Sequence, residues 1–412
     1  MKIKSKFVLI IFSIFFFIFS LVCKKQKAEW IGEVGSENGV KVVKNPDESF
    51  FGELVFDLEE DLVIGNEEEN NYMFYRVYDI NVDSQGNIYV LDAGNHRVQK
   101  FDKNGDYLQT IGRKGQGPGE FMSPFDIVLD SQSNIYVSGM RKIQMFNFRG
   151  EFIKSFVVPI YLLGYTVNLE GNIVASGFIS SKKGQNFGVV IIDSTGKIIK
   201  NISEFAGMST VVRGDSAFSL THDYSPVLNF SPVFKKGVVY GYSPEYKLIL
   251  LDQNGNNYLI VKKDEPFLSI SQKEKDKIIN DAIEDTAQEG RKWPRDVVEE
   301  AANFPKHRPF FDRILSDDKG RIYVRKVKSV FEKNKQRKFD IFSQDGYSLY
   351  TTELPFTPRI IKNGFFYDIY SSEETGEVRI KRYKIKNWNQ IKEGIKSLNG
   401  ALPKNWSSQA LL

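Results

Sequence analysis

A short turn-and-strand unit recurs along this chain, and a recurring unit constrains a fold more tightly than any composition, because each copy must bury its apolar run against the next. Residues Asp83-Ser-Gln-Gly-Asn-Ile-Tyr-Val90 return as Asp130-Ser-Gln-Ser-Asn-Ile-Tyr-Val137, as Asn168-Leu-Glu-Gly-Asn-Ile-Val174, and clearly again as Asp317-Asp-Lys-Gly-Arg-Ile-Tyr-Val324. Weaker copies stand at Lys235-Lys-Gly237 and Lys362-Asn-Gly364, which makes six. Most copies are followed by a second turn: Asp102-Lys-Asn-Gly105, Asn147-Phe-Arg-Gly150, Asp193-Ser-Thr-Gly196, Asp252-Gln-Asn-Gly255 and Ser343-Gln-Asp-Gly346. Asp, Asn or Ser opens such a turn because its side chain bonds the backbone two residues on, and Gly closes it where φ is positive. These acidic residues therefore have a structural task.

The closing glycines of the second turns are 45, 46, 59 and 91 residues apart. A four-stranded propeller blade takes about 40 to 50 residues, so the first two intervals fit and the others carry insertions. The longest interval contains residues 271–304, where the pattern turns helical. Ser271 to Glu274 forms a capping box, Ile279 and Ile283 share one helical face, Gly290 ends the first helix, and Pro294 suits the first turn of a second. The reading is an all-β, six-bladed β-propeller with a helical insertion between blades four and five. The last copy lacks an outer strand after 377–388, and "FFGELVFDL" at 50–58 is a strand without a sheet. Pairing the two ends in one blade closes the ring and removes its exposed edges.

The stretch "INVDSQGNIYVLDAGNHRVQKFDKNGDYLQTIGRKGQGPGEFMSP" at 80–124 resembles an NHL repeat, and the whole chain resembles bacterial six-bladed propeller lipoproteins. The resemblance implies an NHL-like propeller. NHL folds serve as platforms for protein or RNA, and related propellers include lyases and lactonases, so fold alone does not choose a function. Gly112, Gly115, Gly117 and Gly119 fit neither GxxxxGK[ST] nor GxGxxG, and this stretch reads as a link between blades. Asn95, His96 and Arg97 are expected to bond the backbone of their own blade.

The N-terminus adds a location. Lys2, Lys4 and Lys6 precede an uncharged run from Phe7 to Val22, shorter than a membrane span, which reads as a signal peptide over 1–22. The chain's single cysteine, Cys23, follows it directly, and there the sequence resembles a bacterial lipoprotein signal whose cysteine is lipidated. Ser20, Leu21 and Val22 depart from the usual small residue before that cysteine. The expectation is an exported protein of the cell envelope, anchored to a membrane through Cys23, with a linker over 23–49, the propeller over 50–388 and a tail over 389–412. A single cysteine excludes an intramolecular disulfide. The formal net charge is +4, and three of the basic residues belong to the leader. Without a basic face or an intracellular location, no nucleic-acid partner is expected.

Chemistry is sparse. The chain has three histidines, His96, His222 and His307, in separate segments, and no Gly-x-Ser-x-Gly elbow. No catalytic residue, metal ligand or cofactor is assigned, although calcium held by carboxylates stays open. The insert and its exit combine basic and aromatic side chains: Arg291, Trp293, Arg295, His307, Arg308 and Arg313 are the candidate binding residues. The reading is a non-catalytic binding platform for a protein, peptide or glycan at an end face of the ring. The alternative is a metal-dependent propeller hydrolase or lyase, lactonase-like or amidating-lyase-like, which requires carboxylates and histidines converging at one mouth.

Overall fold

The structure is a computed structural model that describes residues 30–395 apart from 67, 182–183 and 234–235. The signal segment, Cys23 and the tail beyond 395 lie outside the described residues. Six antiparallel sheets follow one another: blade one over 77–111, two over 126–157, three over 161–205, four over 228–263, five over 311–354 and six over 360–385. The first strand of each blade touches the first strand of the next, and the sixth touches the first, so these inner strands form a closed ring.

The repeat builds each blade from local rules. Asp83 accepts hydrogen bonds from the backbone of Gln85 and Asn87, and the same pattern holds at Asp130, Asn168 and Asp317. The tyrosine six residues on then reaches back: Tyr89 to Asp83, Tyr136 to Asp130 and Tyr323 to Asp317. Between blades the packing is apolar, as where Tyr89, Leu91, Val98 and Ile111 of blade one meet Ile127, Ile135, Val137 and Phe146 of blade two. Each such side chain contributes about 1.5–3 kcal/mol when fully buried.

The Gly-rich stretch is indeed a link. It joins Tyr107–Ile111 of blade one to Asp126–Leu129 of blade two and folds on itself, Arg113–Lys114 lying parallel to Glu120–Phe121. A Cβ at Gly112 would stand 2.1 Å from the Phe121 ring, so close approach explains the glycine rather than a ligand. Asn95 and Arg97 both bond Asp92, and Arg97 also caps the carbonyls of Asn70 and Met73.

Helices α1 (Gln272–Gln288) and α2 (Arg295–Ala302) follow blade four and precede blade five. Ser271 and Glu274 form the expected capping box, and Pro294 is the N-cap of α2. A hairpin, Thr210–Arg213 with Ser216–Ser219, lies in the chain between blades three and four and packs on the helices. Val211 and Phe218 of this hairpin share an apolar core with Ile279, Ala282, Val297, Val298 and Ala301. The two insertions are one small satellite unit, which repeat spacing alone did not join.

Two expectations about the N-terminal segment change. Residues 33–45 fall within the segment read as a linker, yet they form a hairpin, Glu33–Glu37 with Val40–Asn45, turning at Asn38-Gly39. Asn-Gly supplies the two positive φ angles of a tight hairpin, and Val42 and Val43 then bury as Val40–Asn45 lies parallel to Asn257–Lys263 of blade four. Residues 50–58 are not the closing strand. Phe50, Phe51 and Leu54 donate to carbonyls of the outer strand of blade five, and Leu58–Ile64 pairs with Val378–Ile385 to complete blade six. The chain thus runs along the outer edges of blades four, five and six before entering blade one, and it covers edges that would otherwise be exposed.

Candidate functional site

Because the blades repeat, one position can be followed around the ring. Four residues before the turn-opening Asp or Asn of the inner hairpin stand Asp79, Asp126, Gly164 and Arg313 in blades one, two, three and five. In blade four the register places Asn229, opposite Gly241, at the same position, and in blade six Arg359 lies just before Ile360–Lys362. One half of the ring is acidic and the other basic, with glycine and asparagine between them.

Blade six adjoins blade one, so the two halves meet. Arg359 Nε donates to Asp79 Oδ1 at 2.7 Å, and Arg359 Nη2 donates to the Tyr78 carbonyl at 2.7 Å. The other oxygen of Asp79 accepts from the Ile127 amide at 3.1 Å. Asp126 lies deep in the ring yet keeps some exposed surface, as a channel-lining group does. Burial, and then the neighbouring Asp79 carboxylate, push its carboxyl well above the usual range. Tyr165 is buried nearby, its hydroxyl donating to the Tyr136 carbonyl at 2.8 Å.

On the basic side Arg325, directly across the strand pair from Arg313, donates to Asp312 and to Thr357, each at 2.6 Å. The Arg313 side chain makes no hydrogen bond or ion pair with a described residue. Burial, then the Arg359 and Arg325 guanidinium groups, lower it to about 10, so it remains a cation at neutral pH. A half-buried guanidinium without an ion pair costs stability, and a fold that tolerates it spends stability at that point. The arrangement can present the Asp126 carboxyl and N–H donors from Arg313 to one ligand.

The topology also separates the two ends of the ring. Links between blades and the turns after each second strand share one end; the Asp-led turns share the other. The linking end carries the hairpin, the helices, and the exposed apolar side chains Tyr75, Tyr78, Met122, Met140 and Tyr161. The charged ring lies toward this end of the inner strands.

The six candidate residues do not converge. Trp293 stacks on Phe218 at 5.0 Å within the satellite core, and Arg295 bonds Asp276, Asn280 and Glu299, so both hold the insert together. Arg291 is exposed beyond α1. His307 lies between Phe267 and Phe310, at 4.5 and 5.3 Å, with Nδ1 at 2.8 Å from the Arg308 carbonyl. Arg308 pairs with Glu274 at 2.7 Å. Burial favours the neutral form of Glu274, yet hydrogen bonds from Tyr224, Ser271 and Ser329 pull its carboxyl down to about 2. Only Arg313 belongs to the charged ring, whose other members sequence reasoning passed over although the repeat alignment contained them. Among the described residues no group of three or more His, Cys, Asp and Glu side chains is placed to hold a metal ion, and no helix is long and apolar enough to cross a membrane.

A family model described as a 6-bladed beta-propeller matches residues 63–248. The chain is a six-bladed β-propeller. Among curated proteins, Protein brain tumor of Drosophila melanogaster is 29% identical over 124 residues, which is 29% of this chain and 11% of that protein. The chain thus spans about a tenth of the length of this relative. Among solved structures, a Bacteroides fragilis protein described as exported is 14% identical, covers 84% of this chain and 99% of its own, and has a TM-score of 0.49. Virginiamycin B lyase of Staphylococcus aureus is 10% identical, with 80% and 99% covered and a TM-score of 0.40.

Proposed function

We propose that this propeller is an exported, NHL-like lipoprotein, anchored through Cys23, that binds a protein or peptide partner at the linking end of its ring. The observation that carries the reading is Arg313, a channel cation that makes no side-chain hydrogen bond or ion pair with a described residue. A polypeptide segment offers both signs of charge at short spacing, and so matches a mouth with Asp79 and Asp126 on one side and Arg313 and Arg359 on the other. The exposed tyrosines and methionines around that mouth supply apolar contact area.

The test is affinity capture from the envelope fraction of the native cell, using wild type, Arg313→Gln and, as a control on the opposite end, Asp102→Ala. The expected result is one partner identified by mass spectrometry with wild type and D102A and lost with R313Q. Equal capture by R313Q, or a glycan as the retained species, overturns the reading. Anchoring is tested separately: Cys23→Ser is expected to move the protein from the membrane fraction to the soluble one.

A further inference from the structure

Away from the channel, a cavity of about 250 Å³ opens where the exit from the helical insert meets blade five. Its walls come from two places: the strand ends flanking the insert (Glu265, Pro266, Leu268, Arg308, Pro309, Phe310) and the excursion of blade five between Ile322–Lys326 and Arg337–Phe342. Arg308, Lys326, Lys328, Arg337 and Lys338 line it against two carboxylates, Glu265 and Glu332.

What the protein leaves uncompensated decides the chemistry. Glu265 is already taken, by Lys263 at 3.2 Å and by Lys326. Lys338 pairs with Glu353 at 3.4 Å. Lys328 reaches only a carbonyl, that of Asn334 at 2.9 Å, and Arg337 has no ion pair with a described residue. Two guanidinium nitrogens of the lining residues, Arg308 Nε and Arg337 Nη1, are buried without a hydrogen-bond partner. Native proteins rarely leave such groups unmet. Glu332 is the single carboxylate in the wall with no cation on it.

We infer that this cavity is a binding site for a phosphate or sulfate monoester carried on a small organic body. Lys328 and Arg337 from the excursion of blade five, and Arg308, which also pairs with Glu274, line one cavity from two stretches of chain, an arrangement that suits a tetrahedral dianion better than a flat carboxylate. Pro266, Leu268, Pro309, Phe310 and Val327 give the same cavity apolar wall for the body of the ligand. The site is independent of the channel ring, and its failure would leave the proposal for Arg313 untouched.

The experiment is calorimetric titration of the purified full-length protein with phenyl phosphate, phenyl sulfate, inorganic phosphate and benzoate. Saturable binding of a phenyl ester, tighter than inorganic phosphate or benzoate, is expected. Lys328→Gln with Arg337→Gln should weaken it about tenfold or more, and Glu332→Gln should strengthen it several-fold, a gain that misfolding cannot imitate. Arg313→Gln should leave it unchanged. No saturable binding of either ester, benzoate binding as tightly as the esters, or unchanged affinity in the double variant overturns the assignment.

Discussion

At the residue scale, the copies of the repeat act as internal controls on one another. Ser133 stands where the other clear copies have glycine, and it is held at φ +63, as Gly86 is at +88. A left-handed conformation costs a non-glycine residue about 1–2 kcal/mol, partly offset by the entropy glycine loses on folding. Ser133→Gly should therefore stabilise the protein by about 0.5–1 kcal/mol, read by urea denaturation, and Gly86→Ser should destabilise it similarly. Arg313→Gln should raise the melting temperature while abolishing partner capture, because it removes a half-buried charge that makes no ion pair with a described residue. A melting temperature that falls would mean Arg313 is structural. Asp368 provides a pH signature. Burial pushes its carboxyl up to about 6, against the opposing pull of the Ile369 amide and Lys381. The unfolded chain ionises near 4, so the stability this group contributes is present below that pH and is lost as pH rises through about 6. Relative to Asp368→Asn, wild type should lose stability between pH 4 and pH 8, by no more than about 3 kcal/mol, as thermal melts across that range will show.

At the element scale, the satellite unit is held by one apolar contact set rather than by the blades' hydrogen bonds. Trp293→Ala removes the ring that covers Phe218 and should cost the unit about 2 kcal/mol. Hydrogen exchange should quicken in α1, α2 and the 210–219 hairpin while the strands of blades one to three keep their protection. The helices themselves were legible: Ser271 and Glu274 announce the first, Pro294 the second. Their partner hairpin was not, because Val211 and Phe218 acquire an apolar face only when the helices, some sixty residues later, come to lie against it. The Asn38-Gly39 hairpin had a local signal, and it went unread because the strand it joins belongs to a blade that begins nearly two hundred residues later.

At the scale of the whole molecule, closure depends on the first described segment. Leu58–Ile64 supplies the outer strand of blade six, and 33–54 lines the edges of blades four and five. Deleting 33–64 should leave three blade edges bare and convert the protein into an aggregating species, read by light scattering during a thermal ramp. The sequence by itself determined the blade count, the turn chemistry, the inter-blade link at 112–121 and the helical insert, since each rests on contacts within one repeat or between neighbours in the chain. Only the tertiary structure decided which inner-strand residues face one another, that Arg313 stands opposite Asp79 and Asp126 rather than beside Trp293 and Arg295, and which blade each end of the chain completes. Local hydrogen bonding sets the former, whereas the latter depend on closing a ring, a condition that acts between residues some three hundred positions apart.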